Sequence, residues 1–154
     1  MLEQDIRILV VEGRFYPEIQ GELRKGASRA LKAAQAEFDL VEVPGAFEIP
    51  AAVALAEEAG HRPTGVRYDG YVALGCVIRG ETTHYDYVCG ESARGLMELS
   101  IGKRLAIGYG ILTVETDAQA WKRARTEEGD KGGAAARACL EMVALKRRFL
   151  GQLR

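Results

Sequence analysis

The segment Gly70–Ile78 reads GYVALGCVI and is apolar along almost its entire length. Residues 6–11 (IRILVV) form a second nearly continuous apolar run, and residues 39–43 (DLVEV) and 104–114 (RLAIGYGILTV) are two further strand candidates. Continuous apolar runs are typical of parallel strands that are covered on both faces. We therefore predict four buried strands at these positions.

Helical patterns alternate with these strands. Apolar side chains recur about every 3.6 residues in the first helical segment, and Pro50 and Gly60 mark the two ends of the second. The predicted helices are residues 18–37, 49–59, 83–101, 117–125 and 132–149. The alternation predicts an α/β three-layer sandwich, in which helices cover both faces of a four-stranded parallel sheet. We expect a single domain over residues 1–154.

The composition argues against several classes of partner. The 154 residues are 47% hydrophobic and 28% charged, and the formal net charge is −1. No basic excess is available to neutralise nucleic-acid phosphates or lipid head groups. The N-terminus lacks a signal-peptide pattern, and Cys76, Cys89 and Cys139 have the spacing of neither a disulfide framework nor a zinc site. We expect a cytoplasmic protein with free thiols, without nucleic-acid or membrane partners.

Ligands of open parallel sheets bind beyond the carboxyl ends of the strands. The unusual residues of the chain collect in the four loops that leave those ends. These loops are residues 13–17 (GRFYP), 44–48 (PGAFE), 79–84 (RGETTH) and 115–117 (ETD). The sequence contains no dinucleotide-binding glycine motif, P-loop, metal-ligand cluster or nucleophile elbow. These features predict acid–base chemistry that uses neither a metal nor an organic cofactor.

The loop of residues 79–84 combines a glycine, two threonines and a histidine. Gly80 permits a tight turn or a close backbone approach, and Thr82 and Thr83 suit the N-cap of the next helix. The first turn of that helix is then either an anion site or an ordinary capped terminus, and the loop alone does not separate the two. An isolated histidine more often serves packing, but the place of His84 among the strand-end loops favours proton transfer near neutral pH.

Aromatic residues stand at two neighbouring strand ends. Pro44 and Gly45 suit a type II turn, which would present Phe47 and Glu48 to the same edge of the sheet as Phe15. Two rings and a carboxylate could hold a flat heterocycle and accept its N–H groups. Taken singly, however, Phe47 is better explained as a core residue and Glu48 as a helix cap.

A cation near this edge would complete an anion site. Arg123 lies in the fourth predicted helix, and its guanidinium could form a bidentate contact with a phosphate. Lys122, Arg125 and Lys131 are nearby alternatives, and the residues alone do not separate them.

Six motifs, spread over nearly the full chain, are similar to those of lumazine synthase. They are GRF (13–15), VPGAFEIP (43–50), GCVIRGETTHYDYVC (75–89), GILTVET (110–116), QAWKRA (119–124) and GDKG (129–132). The second and third motifs, in this order on consecutive strand ends, are highly specific. The chain therefore resembles the lumazine synthase family, and the resemblance implies a flavodoxin-like topology.

The resemblance implies a cofactor-free condensation, the penultimate step of riboflavin biosynthesis. The substrates would be 5-amino-6-(D-ribitylamino)uracil and 3,4-dihydroxy-2-butanone 4-phosphate. The family pattern assigns the pyrimidine and its ribityl chain to Phe15, Ala46, Phe47, Glu48, Cys76, Val77, Ile78 and Tyr109. It assigns the phosphate to Glu81, Thr82 and Arg123, with Lys131 close by, and proton transfer to His84.

Three residues depart from the pattern of many relatives. Tyr16 stands in place of Asn, Tyr109 in place of Phe, and Glu81 in place of Ala. In the family the aromatic at position 109 comes from a neighbouring subunit, and a tyrosine can still stack on a ring. A backbone contact with phosphate would tolerate the carboxylate of Glu81.

The resemblance also implies an assembly. The expected state is a homopentamer with sites at the subunit interfaces, open to higher assembly, and riboflavin synthase is a candidate partner. Two alternative functions remain: another phosphate-handling α/β enzyme, such as an isomerase or a phosphatase, and a non-catalytic riboflavin- or lumazine-binding paralogue. The presence of both His84 and Arg123 argues against the paralogue, since a pure binding protein needs neither.

Overall fold

Four parallel strands form the centre of the computed structural model, which describes residues 5–151. The strands are β1 (Arg7–Gly13), β2 (Glu37–Val43), β3 (Gly70–Ile78) and β4 (Ile107–Val114). Their order across the sheet is β2-β1-β3-β4, and all neighbouring pairs are parallel. The predicted parallel sheet is confirmed, and β3 has the predicted bounds. Residues 1–4 and 152–154 of the expected single domain lie outside the described residues.

Five α-helices of the described range cover the two faces of this sheet. They are α1 (Pro17–Ala33), α2 (Ile49–Gly60), α3 (His84–Gly102), α4 (Asp117–Ala124) and α5 (Lys131–Leu150), and a short 3₁₀ helix (Ala46–Glu48) leads into α2. Helices α1, α4 and α5 share one hydrophobic core with the sheet, and α2 and α3 share the other. This is the predicted three-layer α/β sandwich.

The apolar runs of the central strands are continuous because successive side chains enter opposite cores. In β3, Val72 and Leu74 belong to the core beneath α1, α4 and α5, whereas Tyr71 and Ala73 belong to the core beneath α2 and α3. All four side chains are buried. A half-exposed strand alternates apolar and polar residues, but a strand that is buried on both faces has apolar residues at nearly every position.

Helix α5 approaches its neighbours so closely that glycine is required at two contacts. A Cβ on Gly132 would lie 2.0 Å from the carbonyl oxygen of Leu23 in α1, and one on Gly108 would lie 1.9 Å from the carbonyl oxygen of Ala135. These contacts fix the start of α5 against α1 and β4. Lys131, which precedes Gly132, is held at that point.

The predicted end of the first helix, at residue 37, is wrong. Helix α1 ends at Ala33, and Glu37 is already the first residue of β2. Gln35 adopts a left-handed φ of 58°, and the N–H of Ala36 donates to the carbonyl of Leu31 at 3.0 Å. This geometry is that of a helix terminus which reverses the chain toward the sheet.

The prediction that the second strand is buried is also wrong. Leu40 and Val41 are 45% and 39% exposed, although both are large apolar residues. Strand β2 lies at the edge of the sheet, where it pairs only with β1 among the described strands. Of the described helices, α1 packs most on β2 and does so only marginally, so the faces of this strand are poorly covered.

Candidate active site

The loops after β1, β2 and β3 meet around one cavity of about 540 Å³ at the carboxyl edge of the sheet. It contains many of the residues that the sequence predicted. These are Phe15, Ala46, Phe47, Glu48, Cys76, Val77, Ile78, Thr82 and His84. Pro44, Gly80 and Tyr85 also line it, with Tyr16, Gly45 and Val88. The position of the cavity agrees with the rule that open parallel sheets bind ligands beyond their strand ends.

Two exposed aromatic rings stand in the wall of this cavity. Phe15 is 71% exposed and Phe47 is 56% exposed. The alternative that Phe47 is a core residue is therefore wrong. The ring of Tyr16 meets that of Phe15 edge-on, with 4.9 Å between the centroids. Large apolar rings at the surface of a cavity offer stacking surfaces for a flat ligand.

The turn that carries Phe47 differs from the predicted type II turn. Gly45 has a φ of −163°, whereas the third residue of a type II turn requires a positive φ. The constraint comes instead from Gly13, because a Cβ there would lie 3.0 Å from the carbonyl carbon of Gly45. The N–H of Arg14 also donates to the carbonyl of Val43 at 2.9 Å. The first two loops therefore touch through their backbones.

Glu48 occupies the N-cap position of α2, but its side chain makes no capping hydrogen bond. The explanation of this residue as a helix cap is therefore not supported. Glu48 lines the cavity together with residues of the second loop and of the apolar end of β3. It can accept hydrogen bonds from N–H groups of a bound ring.

The end of β3 forms an apolar part of the wall. Cys76 and Val77 are buried, and Ile78 is partly buried. Burial raises the pKa of the Cys76 thiol to about 12, and the charges of Asp117 and Cys89 add to the rise. A thiol that stays protonated at neutral pH is a packing group, because the thiolate is the nucleophilic form.

The first turn of α3 places a histidine beside the apolar wall. The side-chain oxygen of Thr82 accepts a hydrogen bond from the N–H of His84 at 3.3 Å. Thr83, the N-cap residue, has helical backbone angles and no side-chain capping bond. Gly80 has no positive φ, and a Cβ there would meet nothing within 4 Å, so the expected close backbone approach is not observed.

Tyr85 is a cavity residue that the sequence reasoning missed. Its ring lies under the guanidinium of Arg79, with 4.3 Å from the guanidinium carbon to the ring centroid. The available signal was its position directly after His84 in the first turn of a helix. That signal is weak, since Asp86 and Tyr87 of the same turn do not line the cavity.

A second cavity, of about 500 Å³, lies beside α4 and the start of α5. It is lined by Lys122, Arg123, Glu128, Gly129 and Lys131, none of which lines the first cavity. The guanidinium of Arg123 donates to the carbonyl of Gln119 at 3.1 Å and is exposed. Three of the four candidate cations therefore meet in this cavity.

Arg125, the fourth candidate cation, does not line this cavity. Its guanidinium lies 3.3 Å from the carboxylate of Glu128 and 5.3 Å from the centroid of the Trp121 ring. Two other predicted site residues line neither cavity. Tyr109 is 44% exposed on β4, and Glu81 is exposed in the loop before α3. A single copy of the chain thus separates Arg123, Lys131 and Tyr109 from the cavity that holds His84.

The described residues contain neither a candidate metal centre nor a candidate membrane span. Between residues 5 and 151, no group of three or more His, Cys, Asp or Glu side chains could hold a metal ion. Within the same range, no helix combines the length and the apolar character that crossing a membrane requires.

Comparison with known proteins identifies the family. Residues 5–147 match the family described as 6,7-dimethyl-8-ribityllumazine synthase. The chain is 58% identical over 144 residues to 6,7-dimethyl-8-ribityllumazine synthase 1 of Rhizobium meliloti (strain 1021), and this alignment covers 94% of each chain. It is 56% identical over 142 residues to the 6,7-dimethyl-8-ribityllumazine synthase of Bartonella tribocorum, and this alignment covers 92% of this chain and 91% of the relative. The chain therefore belongs to the 6,7-dimethyl-8-ribityllumazine synthase family.

Proposed function

We propose that this protein is a transferase that forms 6,7-dimethyl-8-ribityllumazine, phosphate and water in the penultimate step of riboflavin biosynthesis. Its substrates are 5-amino-6-(D-ribitylamino)uracil and 3,4-dihydroxy-2-butanone 4-phosphate. Family membership over nearly the whole chain supports the activity. The observation that carries the proposal is the cavity that places two exposed aromatic rings beside His84.

The pyrimidine binds between the aromatic wall and the end of β3. Phe15 and Phe47 offer stacking surfaces, and the carboxylate of Glu48 accepts hydrogen bonds from the ring. Ala46 and the apolar residues Cys76, Val77 and Ile78 complete the contact surface. This arrangement leaves the amino group of the substrate near the first turn of α3.

The phosphate of the second substrate binds at the N-terminal end of α3. The N-terminal end of a helix attracts anions, and Thr82, whose hydroxyl oxygen accepts from the N–H of His84, lines the cavity there. Glu81 takes part through its backbone, which leaves its exposed carboxylate outside the contact. Arg123 supplies the bidentate cation, and Lys131 in the same cavity adds a second positive charge.

His84 moves the protons. The amine attacks the ketone, phosphate leaves, and ring closure releases water, so each stage requires a proton to be moved. An imidazole can both donate and accept a proton, so one side chain can act in both directions. Holding two substrates side by side accounts for a large part of the remaining acceleration.

A homopentamer completes the site. Arg123 and Lys131 line a cavity that shares no residue with the cavity around His84. A neighbouring copy that brings its second cavity against the first would supply these cations, together with Tyr109. Sedimentation of the purified protein tests the assembly, and a monomeric protein with full activity would contradict it. The cytoplasmic location and the interaction with riboflavin synthase remain predictions.

Formation of the fluorescent lumazine from the two named substrates tests the activity. The control is the double variant His84→Ala/Arg123→Ala, which should fold and yield almost no product. Phosphate release from the butanone phosphate alone would instead indicate a phosphatase. Pyrimidine binding without turnover would indicate a binding paralogue, and either result would contradict the proposal.

Mixed subunits test whether two copies share one site. His84→Ala protein and Arg123→Ala protein are each purified, dissociated and reassembled together. If one copy supplies His84 and its neighbour supplies Arg123, some sites regain both residues and activity returns in part. Mixtures that stay as inactive as the separate variants would show that both residues act within one copy.

A further inference from the structure

Glu12 carries a fully buried carboxylate next to the candidate site. It lies near the end of β1, directly before the loop that carries Phe15, and its side chain is 0% exposed. A buried carboxylate without a partner is strongly unfavourable. Arg24 of α1 meets this need with two hydrogen bonds, from Nε to Oε1 at 2.7 Å and from Nη2 to Oε2 at 2.9 Å.

The same guanidinium reaches a second strand. Nη2 of Arg24 also donates to Oε1 of Glu42 on β2 at 3.2 Å. Glu12 and Glu42 are directly paired residues of the two parallel strands. One arginine therefore bridges the carboxyl ends of β1 and β2, in addition to the backbone pairing that runs to Gly13 and Val43. Without it, two neighbouring carboxylates would repel each other.

Each of these strand ends leads into one aromatic wall of the cavity. Phe15 follows Glu12 by three residues, and Phe47 follows Glu42 by five. The two loops already touch, because Gly13 leaves no room for a Cβ against the backbone of Gly45. A change in the separation of the two strand ends is therefore transmitted to the two rings.

We propose that Arg24 is a positioning residue for the pyrimidine substrate, an inference that rests on the proposed function. Arg24 lines neither cavity and acts through Glu12 and Glu42. It sets the separation of Phe15 and Phe47, and hence the fit of the ring between them. Its side chain bonds Glu12 and Glu42 rather than Thr82, Arg123 or Lys131, so we expect the phosphate half of the site to change less.

The variant Arg24→Met tests this role against a merely structural one. We expect the KM of the pyrimidine to rise by about tenfold, while kcat and the KM of the butanone phosphate change by less than about twofold. Glu42→Gln, which keeps the pair between Arg24 and Glu12, should give a smaller rise. Arg29→Met is the matched control, because Arg29 is exposed on the same helix and bonds neither carboxylate. This control should behave as wild type.

The double variant Glu12→Gln/Arg24→Met separates positioning from stability. It removes the unpaired buried charge, so the Tm that Arg24→Met loses should largely return. The raised KM of the pyrimidine should remain, because the link between the strands is still missing. If KM and Tm recover together, or if the KM of the pyrimidine never rises, Arg24 serves stability alone.

Calorimetric titration with the pyrimidine alone keeps this test distinct from that of the proposed function. A wild-type protein that neither binds the pyrimidine nor forms lumazine contradicts the proposed function and the positioning role with it. A wild-type protein that binds the pyrimidine, with an equally tight Arg24→Met variant, contradicts the positioning role only. The expected result is a Kd that rises by about tenfold in both the single and the double variant.

Discussion

Nε of Arg79 lies 2.8 Å from Oε2 of Glu115, and this ion pair joins the carboxyl ends of β3 and β4. The same guanidinium lies 3.6 Å from the carboxylate of Asp86 and covers the ring of Tyr85. Asp86 and Tyr85 belong to the first turn of α3, which begins with His84. Arg79 therefore orients the turn that carries the proposed proton-transfer residue.

Replacement of Arg79 should disturb catalysis more than binding of the pyrimidine. We expect Arg79→Met to lower kcat by about tenfold, because small displacements of a reacting group are costly. Arg79→Lys keeps a positive charge but loses the planar contact with Tyr85. Its kcat should therefore lie between those of wild type and Arg79→Met. Arg94→Met is the control, since Arg94 pairs with Glu91 and Glu98 on α3. An unchanged kcat in Arg79→Met would remove this role.

Arg123→Ala should weaken the butanone phosphate far more than the pyrimidine. A lost charge-assisted contact costs about 1.5–3 kcal/mol, so the KM of the phosphate substrate should rise by roughly ten- to a hundredfold. Steady-state kinetics with each substrate varied in turn measures the difference. Arg29→Ala is the control, because Arg29 is exposed on α1 and lines neither cavity. Equal increases in both KM values would show that the phosphate assignment is wrong.

His84→Ala should lower kcat by about a hundredfold and leave substrate binding almost unchanged. The other histidine, His61, offers a control on the opposite edge of the sheet, where its Nε2 lies 3.7 Å from the Glu57 carboxylate. His61→Ala should retain the wild-type kcat. A wild-type kcat in His84→Ala would exclude this residue from proton transfer and would leave positioning as the main source of the acceleration.

The pairing of Tyr68 and Asp39 predicts a loss of stability at high pH. The hydroxyl of Tyr68 donates to Oδ2 of Asp39 at 2.7 Å. Burial, together with this hydrogen bond, raises the pKa of Tyr68 to about 12, above its ordinary value of 10.0. The unfolded chain releases this proton first as the pH rises, so the contribution is complete below about pH 10 and is lost by about pH 12.

Urea unfolding of wild type and Tyr68→Phe over this pH range measures the effect. The free energy of unfolding of wild type should fall more steeply above pH 10 than that of the variant, which lacks the titrating hydroxyl. Below that pH the difference between the two proteins should be constant. Parallel curves throughout the range would show that Tyr68 titrates alike in the folded and unfolded chain.

Much of the architecture was accessible from local patterns. The apolar run Gly70–Ile78 predicted β3 with its observed bounds, because a strand that is buried on both faces is apolar at nearly every position. The alternation of strands and helices then placed the loops with Phe15, Phe47 and His84 at one edge, since all strands of a parallel sheet point the same way. Fold class and half of the candidate site follow from these short-range signals.

The rest depends on contacts between residues that are distant in the chain. No local pattern shows that β2 lies at an edge or that Gly13 contacts the backbone of Gly45. None shows that the cavity of Arg123 is separate from that of His84. The bidentate bond of Arg24 to Glu12 likewise joins a helix to a strand, and its geometry exists only after the layers pack. These contacts form only when many weak interactions across the whole sheet act together. A single segment of the sequence therefore does not predict them.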